Sequence, residues 1–318
     1  MSYNKHLIIL MVFLAGACNP KKEKELPKVQ AQTTYAHEER LIEAQELLDL
    51  EEGAVKIIDF RKPEAFASGH IKGALNLGRG HIEDRISYPY RGMKAKKKTV
   101  ENLLSDLGIG NEDTLIVYDD SGATGAARFW WVLKTYGFDA VRILNGGLKA
   151  WTDAGGALST EGTQATATSQ FNFPENGSAE LWVGKDEMLQ LVSAKGNEII
   201  VDARSPKEHA GMGGPTGSKP NNIPGSINIE WREAIDSEDI GKFKPYKELE
   251  RIYAKMGAGK EDPIVVYCQS GVRSAHTTFV LTQLLGYKNV RNYDGSWAEW
   301  SYLNNLTSKE RGVQTLKK

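Results

Sequence analysis

The chain has 318 residues, 40 Lys and Arg against 41 Asp and Glu, a formal charge of −1, and 40% apolar residues. At roughly 150 residues per domain this length favours two domains, and the composition excludes a disordered, collagenous or polytopic membrane chain. The balanced charge offers nucleic acid no clustered positive field, and two cysteines, Cys18 and Cys268, exclude a disulfide-stapled scaffold and a cysteine-built zinc site.

The first twenty residues, MSYNKHLIILMVFLAGACNP, open on Lys5, run through an apolar stretch from Leu7 to Leu14 and end on small residues before Cys18. This is a secretory pattern, and the run is too short for a spanning helix of about 20 residues. Small residues ending on a cysteine resemble the lipobox of bacterial lipoproteins, with Leu14 four residues before Cys18 rather than three. The expected layout is a signal peptide over 1–17, lipid on Cys18 and a polar tether over 18–39. The body would then be anchored by its lipid in a bacterial envelope, outside the cytoplasm, in the periplasm.

The body reads twice. VKIIDFRKPEAF (55–66) and SGHIKGALNL (68–77) return as EIIVDARSPKEH (198–209) and NNIPGSINI (221–229). Asp59, Arg61 and Pro63 match Asp202, Arg204 and Pro206, while Ile71, Gly73 and Asn76 match Ile223, Gly225 and Asn228. The second copy therefore carries extra residues around GMGGPTGSKP (211–220). Later matches, from Gly108 with Gly257 to Trp151 with Trp300, keep one fixed offset. A period this long means two copies of one domain, expected over 40–154 and 181–305. The segment 155–180 between them reads as a Gly/Ser/Thr-rich linker with little core of its own, and 306–318 as a tail.

Within each copy, runs such as IIVDAR (199–204) and PIVVYC (263–268) are β-branched and apolar without alternation, as strands buried on both faces of a parallel sheet require. The stretch 274–285 reads as a helix ended by Gly286. The fold class is α/β, each copy a mainly parallel sheet flanked by helices.

Cys268 falls at the carboxyl end of a predicted buried strand, the edge where open α/β sheets bind ligands. A short loop, Gln269, Ser270, Gly271, Val272, Arg273 and Ser274, leads from it into the helix. Such a loop can turn successive N–H groups inward as an anion nest, and the helix N-terminus adds partial positive charge. Both favour the thiolate, the nucleophilic form. At the same register the first copy has Asp119, with Thr124 in place of Arg273. One copy keeps nucleophile and cation; the other has neither.

These motifs together resemble the tandem-domain rhodanese family of sulfurtransferases over about residues 40–303. The motifs are DFRKPEAFASGHIKGA and NGGLKAW in the first half, and DARSPKEH, IPGSINI, VVYCQSGVRSAHTTFVL and NYDGSWAEW in the second. The resemblance implies two tandem rhodanese-like domains, an inactive first and an active second. It also implies a ping-pong transfer in which Cys268 takes sulfur from thiosulfate or 3-mercaptopyruvate and passes it, as a persulfide, to cyanide or a thiol. No cofactor or metal is implied. The loop N–H groups of 269–274 would cradle the sulfur, and Arg273 and Arg204 would bind the anionic leaving group; the alternative for Arg204 is a structural ion pair.

Ser270 is similar to the mercaptopyruvate type and Arg273 to the bacterial thiosulfate type, while Gln269 fits neither. His70 keeps a family histidine that Asn222 replaces in the second copy; it either faces the site across the domain interface or is structural. Trp297 and Trp300 read as core, and 211–219 as a lid or a surface insertion. Two rivals remain. Cysteine phosphatases of related fold separate Cys and Arg by five residues, against four here. A lipid-anchored persulfide carrier would hold sulfur without rapid turnover.

Overall fold

The computed structural model describes residues 34–163, 168–175, 177, 181–194, 196–212, 222–237 and 241–305. The expectations for the signal peptide, Cys18 and most of the tether, for the C-terminal tail, and for nearly all of the 211–219 insertion therefore lie outside the described residues.

The first domain runs β1 (Leu41–Ile42), α1 (Ala44–Leu48), β2 (Lys56–Asp59), α2 (Pro63–Ser68), β3 (His70–Ile71), β4 (Leu75–Asn76), α3 (Lys97–Asp106), β5 (Leu115–Tyr118), α4 (Thr124–Thr135), β6 (Val141–Leu144) and α5 (Gly147–Asp153). A short β7 (Leu158–Ser159) follows, and then the second domain: β8 (Trp182–Val183), α6 (Lys185–Ala194), β9 (Ile199–Asp202), α7 (Pro206–His209), β10 (Ile227–Asn228), α8 (Tyr246–Tyr253), β11 (Ile264–Tyr267), α9 (Val272–Phe279), β12 (Val290–Tyr293) and α10 (Ser296–Asn305).

Each domain holds a five-stranded sheet with every pairing parallel, β1-β6-β5-β2-β4 in the first and β8-β12-β11-β9-β10 in the second. The two orders coincide strand for strand, so the sequence repeat is a repeat of topology. The central strands β5 and β11 are buried along their whole length, matching their unbroken apolar runs.

The identities shared by the two copies build the same knot twice. In the second domain Asp202 accepts from the N–H and guanidinium of Arg204 and from the Tyr267 hydroxyl, which in turn accepts the Ile223 N–H. Asn228 donates to the carbonyls of Asp202 and Arg204. Asp59, Arg61, Tyr118, Ile71 and Asn76 repeat every one of these bonds. A buried charge needs such pairing.

Two expectations change. The linker is not without core: Phe171 and Phe173 are buried with rings stacked edge-to-face, and β7 pairs antiparallel with β3. The helix expected over 274–285 begins at Val272 and turns into a π-helix at Val280–Leu284. The carbonyls of Gln283 and Leu284 at its end accept the N–H groups of His37 and Ala36. That answers the helix-end acceptors from outside the helix and ties the chain before β1 to the second domain.

The domains meet where α4 lies against α9. Trp130 of α4 packs edge-on against Phe279 of α9, and one continuous apolar core contains residues of both domains. This places the N-termini of α4 and α9, and the loops that feed them, beside the interface.

Candidate active site

Cys268 follows β11 directly and is only 1% exposed, so little more than a small molecule can reach its sulfur. Its position is fixed from three sides. Its N–H and that of Gly271 both donate to the Ser296 hydroxyl, which donates to the Tyr293 carbonyl. The carbonyls of Cys268 and Gln269 accept the N–H groups of Trp297 and Ala298, at the start of α10. Gly271 has φ +78° and a Cβ there would lie 2.7 Å from the Asp294 carbonyl, so this turn requires glycine. Ser296 itself sits at φ +51°, a strained value for a residue with a side chain.

The electrostatics favour the thiolate. Burial pushes the Cys268 thiol up. The Arg273 guanidinium, the Ser274 hydroxyl 3.4 Å from Sγ, and the N–H groups of Ser274 and Ser270 outweigh it and bring the thiol below its ordinary value. Arg273 also forms a two-pronged ion pair with Glu208 at the end of α7, both contacts 2.8 Å. That pair, with the Ser205 hydroxyl and N–H, pulls the Glu208 carboxyl down to about 2.

The first domain supplies the far wall of this loop. Arg79 donates to the Ser270 hydroxyl at 3.0 Å and to its carbonyl. Arg128 of α4, almost wholly buried, pairs with Asp294 at 2.7 Å and donates to the carbonyls of Gly271 and Gly92. The Lys94 N–H donates to Asp294, and the Tyr90 hydroxyl to Glu299. In return the second domain covers the first-domain loop: a Cβ on Gly122 would touch Trp231 at 3.2 Å. A cleft of about 660 Å³ opens between the domains, lined by the loop 119–124 on one side and by Trp231, Ile235 and Arg273 on the other.

The first-domain loop carries Asp119 at the register of Cys268. The buried carboxylate of Asp119 accepts four main-chain N–H groups, from Ser121, Ala123, Gly125 and Ala126, at 2.7–3.0 Å. The nest is filled by a carboxyl of its own chain, which burial pushes up while the four N–H groups pull it down. Gly147, the counterpart of Ser296, keeps the same positive φ, but a Cβ there would lie 2.1 Å from the Asp119 carbonyl.

The structure brings Cys268, Ser270, Gly271, Arg273 and Ser274 together around the sulfur or its loop; Val272 opens α9, and Gln269 is exposed and contributes its carbonyl. Arg204 is placed otherwise. It is fully buried on Asp202, lies over the rings of Tyr267 and Trp297, and repeats the Arg61–Asp59 pair, so its contacts are those of the structural ion pair. His70 does not face the site. It is buried, stacked on Phe66, with its ring nitrogens against the carbonyls of Phe66 and Glu161. Asn222, its counterpart, likewise donates to the His209 carbonyl. Trp300 is buried in the second-domain core, as expected.

Sequence reasoning missed Ser296, Glu208, Arg79 and Arg128. For two of them the repeat held the signal. Gly147 stands where Ser296 stands, and Ala65 where Glu208 stands.

A sheet edge carrying a sealed, activated cysteine in one of two duplicated α/β domains defines a class, and comparison with known proteins gives its family. The rhodanese-like domain family matches this chain twice, over residues 43–154 and 185–302, and the chain belongs to that family. A thiosulfate sulfurtransferase of Corynebacterium glutamicum is 34% identical over 285 residues, 84% of this chain and 89% of that one. A protein of Saccharopolyspora erythraea with a provisional thiosulfate sulfurtransferase name is 36% identical over 247 residues, 75% of this chain and 84% of its own. The sulfur carrier protein TtuD of Thermus thermophilus is 32% identical over 85% of this chain and 96% of its own. Among solved structures, EanB in a cysteine-persulfide form with ergothioneine superposes with a TM-score of 0.74 at 25% identity, over 85% of this chain and 70% of that one.

Proposed function

We propose that this protein is a sulfurtransferase that takes the outer sulfur of thiosulfate onto Cys268 and delivers it to cyanide or a thiol. The observation that carries the reading is the contrast at one loop register. Cys268 has its thiol lowered by Arg273 and the loop N–H groups, and the other copy fills the same cradle with Asp119.

In the first step the Cys268 thiolate attacks the outer sulfur of thiosulfate. A sulfur–sulfur bond forms to Cys268, and the bond to the sulfonate sulfur breaks with its electron pair, releasing sulfite. The negative charge then rests on the outer sulfur of a persulfide, where the N–H groups of Ser270 and Ser274 and the Arg273 guanidinium would stabilise it. In the second step cyanide or a thiolate attacks that outer sulfur, and the electron pair returns to Cys268 as thiolate. Thiosulfate as donor is supported by the names of the relatives from Corynebacterium and Saccharopolyspora, and a persulfide by the EanB form with that group. The test is the thiosulfate–cyanide assay beside the same assay with 3-mercaptopyruvate. Thiosulfate is expected to give the higher kcat/KM, and turnover with neither donor would refute the reading.

A second reading, a persulfide carrier that turns over slowly, is favoured by the likeness to TtuD. It predicts stoichiometric sulfur loading with little cyanide turnover. The lipobox-like segment ending on Cys18 supports an envelope lipoprotein. Detergent-phase partitioning of the expressed full chain, lost in Cys18→Ser, is the expected outcome.

A further inference from the structure

Arg273 is the loop's formal charge, yet it does not stand alone. Glu208 grips it through both terminal nitrogens at 2.8 Å, while the same guanidinium lies against the Cys268 sulfur and lines the interdomain cleft. Two terminal N–H bonds to Glu208 leave three of the five guanidinium donors for other partners. The repeat adds an independent observation. Asp59, Arg61 and Pro63 stand 143 positions before Asp202, Arg204 and Pro206, and that register sets Ala65 against Glu208. The first copy has therefore lost the cation, as Thr124, and the carboxylate that answers it, as Ala65, although the rest of the knot around them persists. Lys62 stands where Ser205 stands, so the first copy lacks the Ser205–Glu208 capping box together with the Arg273–Glu208 pair, and the test must separate the two roles.

We infer that Glu208 is a positioning residue that acts through Arg273: by neutralising part of the Arg273 charge it weakens the hold on dianionic donor and product, and so speeds release of sulfite. This rests on the sulfurtransferase reading for its kinetic part. A full guanidinium charge beside a thiolate would bind thiosulfate tightly and bind its sulfite product just as tightly, because both are oxyanions meeting the same cation. With Glu208 in place the guanidinium keeps its geometry and its free donors, while its field at the cleft is reduced.

The test compares the wild-type chain with Glu208→Gln and Ser205→Ala. Glutamine preserves the capping box that Ser205 and Glu208 form at the start of α7, so the helix end is kept while the charge is removed. Ser205→Ala breaks that capping box and leaves the charge.

For Glu208→Gln, KM for thiosulfate and the inhibition constant of sulfite are expected to fall together, roughly 3- to 10-fold. The thiolate absorbance midpoint of Cys268, taken as a difference against Cys268→Ser, should move down by about half a unit to one unit. Ser205→Ala should change each by less than about twofold. A rise in KM and in the sulfite constant for Glu208→Gln, or an equal effect in Ser205→Ala, would overturn the inference and leave Glu208 as a scaffold residue. So would an unmoved thiolate midpoint. Absence of sulfur transfer in the wild type would instead strike the sulfurtransferase reading, and the thiolate midpoints would still decide whether Glu208 acts on Cys268 through Arg273.

Discussion

The two domains share a sheet order, a buried Asp–Arg–Tyr–Asn knot and a loop with its N–H groups turned inward, but the two loops hold different acidic side chains. In the first, the Asp119 carboxylate takes four N–H groups and closes the cradle. In the second, Cys268 lies where its thiolate receives N–H groups, the Ser274 hydroxyl and the field of Arg273. The difference teaches that one fold offers inward N–H groups in both copies while the residues around them differ: Asp119 stands for Cys268, Thr124 for Arg273, Gly147 for Ser296 and Ala65 for Glu208. The first domain also reaches the Cys268 loop, because Arg79 donates to Ser270 and Arg128 to the Gly271 carbonyl.

The comparison breaks most sharply at the two strand ends. Cys268→Ser is expected to abolish sulfur transfer, a loss of at least about a thousandfold. Asp119→Ala is expected to leave the Ala123 and Ala126 N–H groups buried without an acceptor, and those of Ser121 and Gly125 part-buried, and to lower stability by roughly 3 kcal/mol in urea unfolding. It should leave kcat per folded molecule within about threefold. If Asp119→Ala abolished transfer at unchanged stability, the first-domain loop would have a direct catalytic part.

A second difference lies on the facing helices, where His276 of α9 matches Ala127 of α4. His276 is buried against Trp231 and Phe243, and burial pushes its imidazole down to about 3. The folded state therefore takes up its proton far less readily than the unfolded state. Its contribution is fully present above the ordinary histidine value and is lost as pH falls from about 6.5 towards 3. His276→Phe should remove that part of the acid destabilisation, on the order of 3–5 kcal/mol at its largest, read as a flatter profile of unfolding free energy between pH 6 and 4.

Ser296→Gly copies the first-domain residue into the second. It removes the acceptor for the Cys268 and Gly271 N–H groups, and kcat is expected to fall about tenfold with the thiolate midpoint moving up. At the small end, His70→Asn imitates Asn222 and should change kcat/KM by less than about twofold, because its contacts are to Phe66 and Glu161.

Much of the fold was legible because duplication marks its own structural residues. Asp59, Arg61, Tyr118 and Asn76 recur because both copies need the same buried pairing, and the apolar runs of β5 and β11 admit little but central parallel strands. Cys268 and Arg273 were legible because they stand at a strand end where the other copy has neither. Arg79 and Arg128 were not, since they reach Ser270 and Gly271 from more than 140 positions away and no local pattern marks them. Arg204 misled in the opposite sense: a motif arginine near a nucleophile reads as an anion ligand, yet its partner Asp202 lies two residues before it. Phe171 and Phe173 were hidden by the polar composition of the linker around them.

The most direct test is peptide-resolved mass spectrometry of the full chain after brief exposure to thiosulfate and removal of excess donor. The account predicts a gain of one sulfur atom on the peptide carrying Cys268, discharged by cyanide with release of thiocyanate and absent in Cys268→Ser. A Cys268 peptide that gains no sulfur while the protein still turns over thiosulfate would contradict it.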